Sequence, residues 1–214
     1  MSNNFFQNYA TAYELVLPKL SFYREMLEKA AFYLKDCQSI LDAGSGPCIY
    51  AKNHKKSGQT IISIDYEASM ILGCQDLAFI GDVANLPFAP HRFDGLCSLN
   101  VLPFMPDYTQ YLNELRRVVK PSGFVIISGI KKDHDMSMVA AQAQEDLAAY
   151  IDHPDYQAPI ETVMKCNQED LMYNLKNLFS LDEAAALLKA HGFAVVESSH
   201  IYLGQSYFIA VQKV

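Results

Sequence analysis

The 214-residue sequence is poor in basic residues and has no long apolar run, and each absence excludes a class of protein. It contains 17 lysines and arginines against 24 aspartates and glutamates, for a formal net charge of −7. Nucleic-acid-binding proteins carry a basic face, so we expect no nucleic-acid partner. No apolar run approaches the roughly 18 residues of a membrane-spanning helix, so we expect no membrane partner. The first residues lack a basic segment followed by an apolar stretch, and we expect no signal peptide.

The sequence also lacks closely spaced cysteine pairs and the cysteine and histidine spacings of metal sites. Its five cysteines are odd in number, and none belongs to a CxxC or zinc-type spacing. We therefore expect no metal site. Cys74 and Cys97 lie in or beside apolar runs, and we interpret them as buried thiols. This cysteine usage favours a reducing, cytoplasmic location.

What the sequence does contain is an alternation of apolar runs and amphipathic segments. The predicted strands are 39–43, 60–64, 78–81, 93–99, 124–128, 193–199 and 207–211. The predicted helices are 47–57, 67–74, 110–119 and 180–191, with a turn at 120–123. This alternation predicts an α/β fold with a doubly wound, mostly parallel sheet. The last two strands are joined by a short turn around Gly204 and should pair antiparallel.

We expect one domain, 1–214, made of four parts. Residues 1–36 predict an aromatic-rich helical lid, and residues 37–130 a ligand-binding core. Residues 131–179 predict a helical cap inserted after the fifth strand, with two helices split at Pro154 and Pro159. Residues 180–214 predict a helix that begins with a capping box, followed by the final strand pair.

Acidic residues stand at the ends of three successive predicted strands. Asp42 opens the run Asp42-Ala43-Gly44-Ser45-Gly46, Asp65 ends the second strand, and Asp82 follows the third. Glycines let the backbone approach a ligand closely, and ligands in such sheets bind beyond the carboxyl ends of the strands. Each acid alone is also compatible with an ordinary turn, and Asp65 with a helix N-cap. Together they predict one ligand site, in which Asp65 can accept hydrogen bonds from a ribose.

Segment 38–130 resembles the class I methyltransferases that depend on S-adenosylmethionine (SAM), close to the small-molecule "methyltransferase type 11" group. The matching stretches are 40–46, 63–65 with Met70, 81–88, 92–96 and 115–123. The resemblance implies SAM as the cofactor. It also implies a Rossmann-like, seven-stranded, mostly parallel sheet with an antiparallel C-terminal strand.

The resemblance further implies a role for each matching position. The implied cofactor-binding residues, from the methionine end to the adenine, are Asp42, Gly44, Ser45 and Gly46, Leu99 and Asn100 beside the sulfonium, Asp65 at the ribose, and Tyr66, Met70, Asp82 and Val83 around the adenine. Tyr9 and Tyr13 would form a lid over the methionine end. The sequence departs from the pattern at Cys48, where the third glycine is usual, and at Glu67, where a small hydroxyl residue is common.

The reaction implied is in-line transfer of the methyl group to a small-molecule acceptor, by a monomer or a homodimer. Such a displacement depends mainly on orientation, and it needs a general base only if the acceptor keeps its proton. The candidate catalytic residues are His134, Asn100, Tyr9 and Tyr13, although a solvent-exposed loop position is the favoured interpretation of His134. Two alternatives stay open. One is an enzyme of the same fold that cyclises the aminobutyryl chain of SAM and releases methylthioadenosine; the other is a SAM-binding module without catalysis.

Overall fold

The computed structural model describes residues 3–75, 77–167 and 174–214, with side chains from residue 9 onward. Its strands are β1 (Ser39–Ala43), β2 (Thr60–Asp65), β3 (Leu77–Ile80), β4 (Phe93–Leu99), β5 (Val119–Ile130), β6 (Phe193–Ile201) and β7 (Ser206–Lys213). They form one sheet in the order β3-β2-β1-β4-β5-β7-β6. Strands β1 to β5 are parallel, and β7 is antiparallel to both of its neighbours. The predicted sheet is confirmed.

Helices pack on both sides of this sheet. They are α1 (Asn3–Val16), α2 (Ser21–Leu34), α3 (Ile49–His54), α4 (Tyr108–Val118), α5 (Met136–Leu147), α6 (Pro154–Cys166) and α7 (Leu181–Ala190). Helices α1 and α2 precede the sheet, in the segment predicted as a lid, and α5 and α6 follow β5, in the segment predicted as a cap. The predicted capping box is present at the start of α7, where Ser180 and Glu183 each bind the other's backbone N–H.

The core lies in two layers, one on each face of the sheet. Alternate residues of a strand point to opposite faces, so Ile40 packs on one side and Leu41 on the other. The Ile40 side is covered by α1, α2, α3, α5 and α6, and the Leu41 side by α4 and α7. The lid and the cap therefore lie on the same face of the sheet.

The helix predicted over 67–74 is wrong, because this segment forms turns. Asp65, for which a helix N-cap was the alternative interpretation, instead uses its two carboxylate oxygens to accept from Gly46 N at 2.8 Å and Glu67 N at 3.0 Å. The Glu67 carboxylate in turn accepts from the backbone N–H and the hydroxyl of Ser69. These side-chain to backbone hydrogen bonds offer the chain an alternative to a helix.

Two other local predictions also fail. A break was predicted at Pro159, yet α6 begins at Pro154 and continues through Pro159. The turn predicted at 120–123 lies within β5, although Ser122 retains a turn-like positive φ of 60° and the pairing of β4 with β5 is irregular there. Helix α3 is also shorter than the predicted helix 47–57.

The cap leaves and rejoins the sheet at one place. Lys131 and Phe179 form an isolated parallel bridge, and Lys132 N donates to Phe179 O at 3.1 Å. Residues 168–173 of the predicted cap lie outside the described residues. Within the described ranges, the helices are too short or too polar to cross a membrane.

Candidate active site

The carboxyl ends of β1, β2 and β3 meet at one edge of a large cavity. Ala43 pairs with Ile64, and Asp65 pairs with Ile80, so the strands end at the same level. Asp42, Asp65 and Asp82 all line the cavity, which has a volume of about 1220 Å³. The prediction that these three acids converge on one site is therefore consistent with the geometry.

The loop after β1 owes its shape to glycine. Gly44 has a φ of +78°, and a Cβ built on it would lie 2.3 Å from a Val101 methyl carbon. Gly44 N and Ser45 N both donate to Ile64 O, at 2.8 Å and 3.0 Å, which ties the loop to β2. A larger residue at 44 would clash and adopt a strained backbone. The loop can therefore lie directly against a ligand.

The same loop carries a disulfide. Cys48, in a left-handed conformation before α3, is bonded to Cys74, whose Cα is 5.7 Å away. The interpretation of Cys74 as a free core thiol is wrong, whereas Cys97 is a fully buried thiol as predicted. Cys74 was misread because its partner is 26 residues distant and no local spacing marks the pair. Cysteine usage therefore no longer supports a reducing compartment.

Asp42 is buried with one oxygen unsatisfied. Its Oδ1 accepts from the Cys97 thiol at 3.5 Å, while Oδ2 has no hydrogen-bond partner among the described residues. Burial raises the pKa of Asp42 to about 7; the Cys97 hydrogen bond lowers it, and the nearby Asp65 charge raises it. A buried carboxylate oxygen of this kind is stabilised by a cationic hydrogen-bond donor from a ligand.

Asp65 is held in place by the backbone hydrogen bonds described above. Burial raises its pKa, and the hydrogen bonds from Glu67 and Gly46 lower it. Each carboxylate oxygen keeps a second lone pair that a ligand hydroxyl can use. Beside it, Tyr66 is 79% exposed, and the Met70 methyl lies near Gly46, 3.4 Å from a Cβ built there. The predicted adenine neighbours Tyr66, Met70, Asp82 and Val83 all line the cavity.

Asn100 follows β4 with a positive φ of 60°. Its backbone N donates to the Ser128 hydroxyl at 3.0 Å, and that hydroxyl donates to Asn100 Oδ1 at 3.2 Å. Its amide nitrogen faces the Tyr202 hydroxyl at 3.5 Å. Asn100 and Leu99 line the cavity between the loop after β1 and the cap. β5 therefore fixes the amide in one orientation.

Tyrosines from α1 and α2 also line the cavity. The rings of Tyr9 and Tyr13 have centroids 5.1 Å apart, and Tyr23 approaches Tyr13 edge-on at 6.4 Å. Burial raises the pKa of Tyr13 to about 12, and burial with the charges of Tyr13, Tyr202 and Asp42 raises that of Tyr23 further. The phenols of Tyr13 and Tyr23 therefore stay neutral at physiological pH and present aromatic faces.

His134 lies in the loop before α5, is half-buried and lines the cavity. Its Nδ1 lies 2.9 Å from Lys131 O. A carbonyl oxygen only accepts, so Nδ1 carries the proton in the neutral ring and Nε2 keeps the free lone pair. The geometry therefore makes His134 suitable as a general base.

All fourteen predicted site residues line this one cavity, although their individual roles stay predictions. The sequence analysis missed several lining side chains, which are Tyr23, Met26, Tyr50, Glu67, Val139, Val163 and Tyr202. Tyr23 belongs to the same aromatic-rich segment as Tyr9 and Tyr13. The composition of that segment could therefore have indicated that Tyr23 lines the cavity. The contributions of Val139 and Val163 depend on how the cap folds back over the sheet.

Comparison with known proteins identifies the part of the chain that carries the strand-end acids. The methyltransferase domain family matches residues 41–127. This segment belongs to that family. The resemblance to class I, SAM-dependent methyltransferases is confirmed, and SAM is the cofactor that such a methyltransferase domain uses. The matched segment contains the loop after β1 and all three acids at the strand ends.

Two curated relatives are methyltransferases. The chain is 33% identical to malonyl-[acyl-carrier protein] O-methyltransferase of Erwinia billingiae over 118 residues, which are 52% of this chain and 47% of that protein. It is 29% identical to demethylmenaquinone methyltransferase of Corynebacterium glutamicum over 98 residues, 44% of this chain and 43% of that protein. The aligned part of the chain thus spans somewhat under half the length of these relatives.

A solved structure extends the likeness beyond the methyltransferase domain. The chain superposes on a SAM-dependent methyltransferase of Thermotoga maritima, described as a possible histamine N-methyltransferase, with a TM-score of 0.67. The superposition covers 99% of each chain at 18% sequence identity. At this identity the likeness supports the fold alone, including the lid and the cap around the methyltransferase domain.

Proposed function

We propose that this chain transfers the methyl group of SAM to a small-molecule acceptor. The observation that carries the proposal is the unpartnered Oδ2 of buried Asp42, which lines the cavity next to a loop that admits only glycine at position 44. A cationic amino group is the partner that this carboxylate oxygen favours, and the amino group of SAM is such a donor.

The residues around Asp42 fit the remainder of SAM. In this proposal Gly44, Ser45 and Gly46 lie along its methionine portion, and Asp65 accepts from its ribose hydroxyls. The side chains assigned to the adenine and the sulfonium are Tyr66, Met70, Asp82, Val83, Leu99 and Asn100. When bound, SAM supplies a methyl group activated for in-line displacement.

The chain's own contribution is orientation, exclusion of water and removal of a proton. The tyrosine faces of the lid favour positive charge near them, by about 0.5–2 kcal/mol each. The Asn100 amide, fixed by Ser128, can orient the nucleophilic atom of the acceptor. His134 Nε2 can take the acceptor's proton, a role typically worth 10²–10⁴-fold in rate.

Titration calorimetry and product analysis test the proposal. We expect SAM to bind, and Asp42→Asn to weaken its affinity at least tenfold. Asp152→Asn, at an exposed position outside the cavity, is the matched control and should leave the affinity unchanged. Mass spectrometry should then find S-adenosylhomocysteine only when a small-molecule extract is added. Failure to bind SAM would overturn the proposal, and so would methylthioadenosine released from SAM alone.

A further inference from the structure

We propose that the acceptor is a largely apolar molecule without negative charge, and that it lies in a chamber between the lid and the cap. This inference rests on the proposed function, because it names the class of molecule that receives the methyl group. The chamber is the part of the cavity bounded by Val16, Leu20 and Phe22 on the lid side and by Val139, Leu147 and Val163 on the cap side.

The cavity has room for a second molecule beside a cofactor. Its volume of about 1220 Å³ exceeds the roughly 300–1,000 Å³ typical of a site for one small ligand. The strand-end residues that fit SAM line one part of the cavity, and α1, α2, α5 and α6 supply the walls of the chamber. Apolar side chains dominate the chamber walls, so an occupant gains most by removing apolar surface from water.

The charges of the lining have one sign. Among the described residues that line the cavity, six are carboxylates and none is a lysine or arginine; the carboxylates are Asp42, Asp65, Glu67, Asp82, Asp107 and Asp135. His134 is the one described lining side chain that can become a cation. The residues outside the described ranges include no lysine or arginine in the sequence. The cavity therefore offers an anion no fixed cationic partner.

This arrangement discriminates against acidic acceptors. A carboxylate or phosphate buried among apolar walls without an arginine or lysine loses its hydration and gains no ion pair. The Asp135 carboxylate, at the start of the cap helix α5, would repel it as well. A neutral hydroxyl or an amine avoids both costs, and its polar end can meet the Asn100 amide, the Tyr202 hydroxyl or the His134 imidazole. An amine would also be favoured by the tyrosine faces.

Three probes that share one ring system test the proposal. They are 2-(2-naphthyl)ethanol, 2-(2-naphthyl)ethylamine and 2-naphthylacetic acid, which are neutral, cationic and anionic at neutral pH. We expect the alcohol and the amine to bind at least tenfold more tightly than the acid in titration calorimetry. An acid that binds as tightly as the alcohol would overturn the proposal, and so would the absence of binding by all three probes.

A cation placed in the cavity should remove or reverse the preference for the alcohol over the acid. Met136, at the start of α5, lines the cavity, whereas Met138 is 52% exposed and is not among the described lining residues. We expect Met136→Lys to raise the affinity for the acid at least tenfold, and the matched control Met138→Lys to leave it unchanged. If circular dichroism shows that Met136→Lys does not fold, Met164→Lys on α6 supplies the same charge. An unchanged preference in the folded variant contradicts the proposal.

Titrations with and without SAM separate this inference from the proposed function. A protein that fails to bind SAM refutes the proposed function. The preference for the alcohol over the acid, measured without SAM, still decides the charge selectivity of the chamber.

Discussion

The disulfide between Cys48 and Cys74 joins the loop after β1 to the segment after Asp65. Both segments line the cavity, through Gly46 on one side and Met70 on the other. The bond therefore fixes the separation of two walls of the proposed cofactor site.

Reduction of this disulfide should lower both stability and SAM affinity. Closing a loop of 26 residues restricts the unfolded chain, and the loop-entropy relation gives about 3.5 kcal/mol. We expect dithiothreitol to shift urea unfolding of the wild type to lower denaturant and to weaken SAM binding. The Cys48→Ser/Cys74→Ser double variant should behave like the reduced protein and no longer respond to dithiothreitol. A wild type indifferent to dithiothreitol would contradict this prediction.

Gly44→Ala should abolish tight SAM binding. The added Cβ would meet a Val101 methyl carbon at 2.3 Å, so the loop would have to move. Gly58→Ala is the matched control, because Gly58 has a similar φ of +83° but nothing within 4 Å of the added atom. Both variants carry the backbone cost of a positive φ, about 1 kcal/mol, but we expect only Gly44→Ala to lose SAM affinity in calorimetry. Val101→Ala should partly rescue it. Equal losses in the two variants would rule out the steric explanation.

Asp42→Asn should stabilise the ligand-free protein more at pH 8 than at pH 5. Burial raises the folded-state pKa of Asp42 to about 7, above its ordinary value of 3.8. The contribution of protonated Asp42 to the free energy of unfolding is therefore complete below about pH 4, and it is lost as the pH rises through 7. The ionisation cost above pH 7 is on the order of 4 kcal/mol. Urea unfolding at both pH values measures the difference.

Asp94→Asn provides the control of opposite sign. Burial raises the pKa of Asp94, but hydrogen bonds from Lys120 and Ser39 outweigh it and lower the pKa to about 2. Its contribution is present above about pH 4 and is lost only as the pH falls toward 2. Asp94→Asn should therefore destabilise the protein about equally at pH 5 and pH 8. If both variants change the free energy of unfolding by the same amount between pH 5 and pH 8, burial of Asp42 is not the cause of the pH dependence.

His134 should carry its proton on Nδ1 when neutral, because Nδ1 faces Lys131 O at 2.9 Å. Long-range ¹⁵N–¹H NMR distinguishes the two tautomers of a neutral imidazole. Exposed His200 serves as the reference ring in the same spectrum. A predominant Nε2–H form of His134 would remove its lone pair from the cavity and argue against its role as the base.

The strand-end acids were predictable because the sheet is parallel. Asp42, Asp65 and Asp82 each follow an apolar strand, and strands of one direction bring their carboxyl ends to one edge. Local sequence was enough to locate them. The sheet itself was predictable from the alternation of apolar and polar segments, because strands that are buried on both faces are continuously apolar.

Features that depend on distant partners were not predictable. Cys48 and Cys74 carry no spacing that marks a disulfide, and the backbone N–H that holds one oxygen of the Asp65 carboxylate belongs to Gly46, which lies 19 residues earlier. Tyr202 and Val163 enter the cavity only because the chain folds back from the C-terminal strands and the cap. Their positions are set by tertiary packing, which no local pattern encodes.

The bridge between Lys131 and Phe179 places both ends of the cap side by side, just beyond the carboxyl end of β5. A cap whose two ends lie this close together can be replaced by an insertion of another length without changing the position of any strand. The cofactor loop and the three strand-end acids lie outside the cap. One scaffold can therefore accept new substrates through replacement of a single continuous stretch of chain, while the chemistry at the strand ends stays as it is.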